Sequence, residues 1–98
     1  MPANNSNINT EEDIKKKITS LLLSLDSCTR LANGSPKLKR DKDNDRLIVY
    51  IGIYLLFGVN IHQFCYEAQT LIKTLIEDET DFTVKEVNLD VEGIDDIK

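Results

Sequence analysis

Two hydrophobic rhythms succeed each other along the chain. Ile14, Ile18, Leu21, Leu22 and Leu25 recur at helical spacing and predict an amphipathic helix with one buried stripe. Thr10 is placed to cap it, with Asp13 at the capping-box position, and Glu11, Glu12 and Asp13 put negative charge where the helix dipole favours it. Asn33-Gly34 is the stop signal, and Pro36 excludes continuation beyond it.

The rhythm then shortens. Lys37 to Arg40 reads as a short edge strand with Leu38 inward, and Asp41 to Asp45 as the turn after it. Leu47 to Phe57 reads as a strand whose odd positions, Leu47, Val49, Ile51, Ile53, Leu55 and Phe57, are all apolar. Its even positions, Ile48, Tyr50, Gly52, Tyr54 and Leu56, are scarcely less so. A strand apolar on both sides is covered on both sides. The apolar run from Leu47 to Val59 spans 13 residues, short of the roughly 20 needed to span a bilayer as a helix.

Gly58 breaks the strand, and Asn60 caps a second helix with Gln63 at the capping-box position. Ile61, Phe64, Cys65, Ala68, Leu71, Ile72, Leu75 and Ile76 mark its buried stripe. The acidic exit, Glu77 to Asp81, sits at the wrong end for the helix dipole, so the last turn is expected to fray. In the final strand Val87, Leu89 and Val91 point inward, and Asn88, Asp90 and Glu92 outward. Phe82 and Val84 are out of phase with that set, which places a bulge or a strand start near Lys85–Glu86, and Gly93 ends the element.

The expected fold is α+β: a two-layer α-β-β-α-β arrangement with a three-stranded mixed sheet and both helices on one face. The second strand, second helix and last strand form a crossover unit, so those two strands are expected to be parallel. Residues 1–9 read as a disordered lead-in, 10–94 as a single domain and 95–98 as a tail. With both helices on one side, Ile48, Tyr50, Tyr54 and Leu56 would face solvent on the other. Monomers rarely leave such a patch open, so these four are the candidate partner interface.

Charge refines this picture. The chain has 98 residues and a net charge of −5, which argues against general nucleic-acid binding. Residues 1–46 carry 9 bases and 7 acids, net +2, whereas residues 47–98 carry 3 bases and 10 acids, net −7. The halves can attract each other within the fold or between copies. The N-terminus has neither a basic region nor an apolar core of the secretory type, so a cytoplasmic setting with reduced thiols is expected.

Candidate chemistry is sparse. Asp41, Asp43 and Asp45 have the opening spacing of a calcium loop, but the sixth and twelfth positions are Arg46 and Gly52, where glycine and a bidentate glutamate are required. His62 and Cys65 share a helix face, and Cys28 is the other thiol, yet no closely spaced cysteine pair exists to complete a zinc set. Gly34, Gly52, Gly58 and Gly93 are too scattered for a phosphate loop. The basic cluster from Lys37 to Arg46 is interleaved with acids and holds no aromatic to stack a base. No catalytic residue, metal site or cofactor is expected.

From Leu47 onward the chain resembles the alkaline shock protein family of Gram-positive bacteria, also called envelope stress response proteins. The resemblance rests on an aliphatic strand running into Gly58-Val59-Asn60-Ile61, then an amphipathic helix, then VKEVNLDVEGI from Val84 to Ile94. It covers residues 47–94. The sequence departs from the family pattern in having LDSCTRLANG (residues 25–34) in place of a small-residue and Gly-Val pattern. His62 stands where proline is common, and Tyr50 and Leu56 stand at outward sites that are usually polar. The resemblance implies a small non-catalytic α+β protein linked to envelope homeostasis and stress. Implied partners are itself, homologous family members or a membrane anchor protein, with membrane association through a partner and no direct insertion. The alternative compatible with the element order is a KH-like RNA-associated module, although the GXXG clamp of such domains is absent.

Overall fold

A computed structural model describes residues 11–41 and 46–96. Six elements follow in order: α1 (Glu11–Leu23), β1 (Cys28–Leu31), β2 (Lys37–Asp41), β3 (Arg46–Leu56), α2 (Ile61–Glu79) and β4 (Thr83–Asp95). Thr10 as a helix cap, the lead-in at 1–9 and most of the Asp41–Asp45 turn lie outside the described residues.

The architecture is α+β, with a four-stranded rather than three-stranded sheet. β3 is its spine. β4 runs parallel to β3 along the whole strand, from Arg46↔Thr83 to Leu56↔Asp95. The opposite edge of β3 is shared by two antiparallel segments: β2 beside residues 46–50 and β1 beside residues 53–55. The fourth strand is therefore the second half of an interrupted edge. At the interruption Ala32 N–H donates to Gly52 O at 2.7 Å, and Gly52 N–H donates to the Ser35 hydroxyl at 2.8 Å. The Asn33-Gly34 pair is used as a turn between β1 and β2, with Gly34 at φ 81° and Ser35 N–H bonded to Ala32 O at 3.1 Å.

The strand missing from the sequence expectation explains where α1 stops. The helix ends at Leu23, ten residues before Asn33. Ser24, Asp26 and Ser27 compete with helix by local hydrogen bonding, and the Ser24 hydroxyl donates to Leu21 O at 2.6 Å. Beyond them the chain is captured by β3: Leu56 N–H donates to Ser27 O at 2.8 Å. Without this segment the outer backbone groups of Ile53–Leu55 would lack ladder partners.

The odd positions of β3 behave as expected up to Leu55. Leu47, Val49, Ile51, Ile53 and Leu55 are buried in one cluster with Ile14, Ile18 and Leu22 of α1 and Phe64, Ala68, Ile72 and Ile76 of α2. Both helices thus cover one face. Phe57 lies past the strand end and is 71% exposed. On α2 the stripe is narrower than expected, because Ile61 and Leu71 are exposed.

The caps and bulges follow local chemistry. Asn60 Oδ1 accepts from Gln63 N–H at 3.0 Å, but the Gln63 side chain turns to Glu67 instead of closing a capping box. The acidic exit of α2 does not unwind the last turn. Thr80 N–H and its hydroxyl both donate to Ile76 O, at 2.9 and 2.7 Å, and Glu77 accepts from Val84 N–H at 2.8 Å. In β4 the register slips between Val84 and Glu86, so Lys85 is the bulged residue at the expected place. A second slip at Glu92 carries the strand past Gly93 to Asp95, so residue 95 belongs to the sheet and not to a tail.

Candidate protein-contact face of the sheet

Cross-strand partners share a face, so the register assigns every side chain opposite the helices. Down the centre run Ile48, Tyr50, Gly52, Tyr54 and Leu56, the even positions of β3. The four candidate interface residues are brought together, but unequally. Tyr50 is 39% exposed, whereas Ile48, Tyr54 and Leu56 are half-buried by their neighbours.

Tyr54 owes its cover to the flanking strands. The Arg30 guanidinium lies 3.7 Å from its ring centroid. On the other side is Gly93, where an added Cβ would lie 3.0 Å from the ring. Arg30 Nε also donates to Asp95 Oδ2 at 3.2 Å, and the Thr29 hydroxyl donates to the same oxygen at 2.6 Å. These bonds, that of Thr29 foremost, hold the Asp95 carboxyl below the usual carboxylate range, and the bond to Asp95 holds the Arg30 guanidinium still more firmly protonated. This latch ties β1 to β4 across the end of β3. At the other end Asp41 pairs with Lys85 at 3.3 Å and Arg46 at 3.9 Å.

Between the two ends the face has a basic and an acidic flank. Lys39 stands beside Ile48 and Lys37 beside Tyr50, both from β2. Across the strip Glu86 stands beside Ile48, Asn88 beside Tyr50 and Asp90 beside Gly52. The charge asymmetry of the two halves of the sequence is thus laid out across one sheet. In the middle is a shallow groove of about 220 Å³ lined by Lys37, Tyr50, Gly52, Asp90 and Glu92. Gly52 is required there by space, since a Cβ would lie 2.9 Å from Ala32 Cβ and 3.1 Å from Glu92 Oε2. The sequence reading missed both flanks and the Arg30–Asp95 latch. Their signal was the opposite charge of the two halves, which has no position until the register is known.

The other chemistry-bearing residues stay apart. Cys28 is buried in the core and Cys65 half-buried on α2, and burial pushes both thiols up, away from the reactive thiolate. His62 is exposed in the first turn of α2. Among the described residues no three His, Cys, Asp or Glu side chains converge on a point that could hold a metal ion.

The family model for alkaline shock proteins, described as having a cell envelope-related function, matches residues 27–96, well over half of the chain. The chain belongs to the alkaline shock protein family. The matched span begins one residue before β1 and runs past the end of β4, so the family unit here is the whole sheet with α2. This is the family to which the sequence resemblance pointed, and the match carries that resemblance upstream through β1 and β2. No curated protein and no solved structure matches the chain. No helix among the described residues is long and apolar enough to cross a membrane.

Proposed function

We propose that this alkaline shock protein serves cell-envelope stress homeostasis as a non-catalytic interaction or scaffold protein, and that it works through the open face of its sheet. One observation carries the reading. The helix side of β3 is buried from Leu47 to Leu55, while the other side presents Ile48 and Tyr50 between charged flanks, with Tyr50 39% exposed. A contiguous apolar strip of this kind fits a contact surface. Partners of the right kind are a second copy, a homologous family member or a membrane anchor protein that brings this cytoplasmic chain to the envelope without insertion of its own. The absence of catalysis is part of the proposal. Among the described residues it is supported by two cysteine thiols that burial pushes up, away from the thiolate, and by an exposed His62 that makes no hydrogen bond or ion pair within the chain, so neither the thiols nor the imidazole is activated. The net charge of −5 supports a protein partner over RNA.

Complementation tests this. A strain lacking the gene is challenged with alkaline and cell-wall stress, then supplied with the wild-type chain or with Tyr50→Lys. The expected result is rescue by the wild type and none by Tyr50→Lys, at equal cellular levels and with unchanged unfolding stability. Full rescue by Tyr50→Lys counts against the open face. Capture from detergent lysate with and without ribonuclease addresses the alternative: partners lost on ribonuclease treatment favour the RNA-associated module.

A further inference from the structure

The two flanks of the open face are opposite in sign and aligned row by row. Lys39 and Glu86 both sit beside Ile48, one on each side, and Lys37 and Asn88 both sit beside Tyr50. Among the described residues, Lys37, Lys39, Glu86 and Asp90 make no ion pair within the chain. The charges at the two ends of the strip, by contrast, are largely matched internally by the Asp41–Arg46–Lys85 and Arg30–Asp95 groups.

We infer that the open face receives the open face of a second copy of this chain, about a two-fold axis running parallel to β3. The inference rests on the reading of this face as a protein-contact surface and names its occupant. Two like faces can be brought together about an axis along the strands or an axis across them. An axis across the strands keeps each flank on its own side, basic against basic and acidic against acidic. An axis along the strands exchanges the flanks. Lys39 of each copy then falls opposite Glu86 of the other, and Lys37 falls opposite Asn88 with Asp90 in the next row. The second arrangement is attractive twice over, because symmetry repeats each contact. It sets the two β3 strands parallel, with Tyr50 of one copy meeting Tyr50 of the other near the axis. Sheets packed face to face lie about 10 Å apart with strands within roughly 30° of alignment, a gap that tyrosine rings fill and that lysine and glutamate side chains reach across. The groove of about 220 Å³ beside Tyr50, lined by Lys37, Gly52 and Asp90, is space into which the facing ring can settle.

Charge reversal with sedimentation equilibrium of the full chain at low salt tests the geometry. Lys39→Glu alone and Glu86→Lys alone should each raise the dimer Kd on the order of tenfold or more, since each places like charges face to face in two symmetric contacts. Lys39→Glu with Glu86→Lys in one chain should restore association. So should an equimolar mixture of the two single variants, which pair with each other and not with themselves. Both positions are exposed, and recovery in the double variant separates a lost contact from a lost fold. Tighter association of Lys39→Glu alone would overturn the axis. A wild-type chain that stays monomeric at high concentration would overturn self-pairing. If Tyr50→Lys still abolished rescue in the cell, the contact face would stand with another occupant. If it did not, both readings would fall.

Discussion

The two sides of β3 are both apolar, one wholly aliphatic and the other carrying Tyr50 and Tyr54, and they end in different states. On one side Val49, Ile51, Ile53 and Leu55 reach at most 1% exposure beneath two helices. On the other, among the described residues, Ile48, Tyr50, Tyr54 and Leu56 are covered by side chains of the neighbouring strands, and Tyr50 keeps 39% exposure. The difference lies in what the flanking elements supply. α1 and α2 bring apolar stripes to the odd side. β1, β2 and β4 bring Arg30, Lys37, Lys39, Glu86 and Asp90 to the even side. Hydrophobicity along a strand therefore says that a side wants covering, and the neighbours decide whether the fold or a partner does it.

The sharpest break in this comparison is a cavity on the covered side. Ile53→Ala should cost about 2–5 kcal/mol in denaturant unfolding, since the site is fully buried within the single core cluster. Next is Gly52→Ala, which brings a methyl to 2.9 Å from Ala32 Cβ and should cost about 1–3 kcal/mol. Adding Ala32→Gly should recover part of that loss, which would locate the strain on the open side.

Within the open side the two tyrosines should separate. Tyr54→Ala loses packing under Arg30 at 3.7 Å and should destabilise by about 1–2 kcal/mol. Tyr50→Ala should change unfolding by less than about 0.5 kcal/mol, as for a surface position away from special features, while weakening association. The smallest effect is that of Asp95→Asn. The folded state holds Asp95 below its ordinary value, so its contribution is present above that value and is lost as pH falls through the depressed folded one. The wild-type advantage over Asp95→Asn should thus be present near neutrality and shrink below about pH 4, as read by unfolding at a series of pH values.

Much of this fold was legible from local pattern. The Asn60 cap and the Lys85 bulge follow from chemistry within a few residues, and the parallel β3–α2–β4 pairing from the strand–helix–strand order. β1 was not legible, because Cys28–Leu31 has four residues and no alternation. Its strand character comes from hydrogen bonds to β3, which tertiary context supplies and propensity does not. As bare sequence, LDSCTRLANG reads like the frayed end of a helix, yet it holds a turn, a strand and half of the Arg30–Asp95 latch. The candidate face was half legible. Its apolar strip could be read from one strand, whereas the latch joins residues 65 apart and the flanks need the register of three strands.

The central claim, that the open side of β3 is covered by a protein partner in the working state, has an internal control. Tyr50 lies on that side at 39% exposure, and Tyr66 lies on α2, away from the open face of the sheet, at 72%. Hydroxyl-radical footprinting of both tyrosines, in the dilute isolated chain and in the native cell, tests the claim most directly. The account predicts that Tyr50 becomes protected in the cell while Tyr66 keeps its reactivity. Equal reactivity of Tyr50 in both settings, with Tyr66 unchanged, would contradict it.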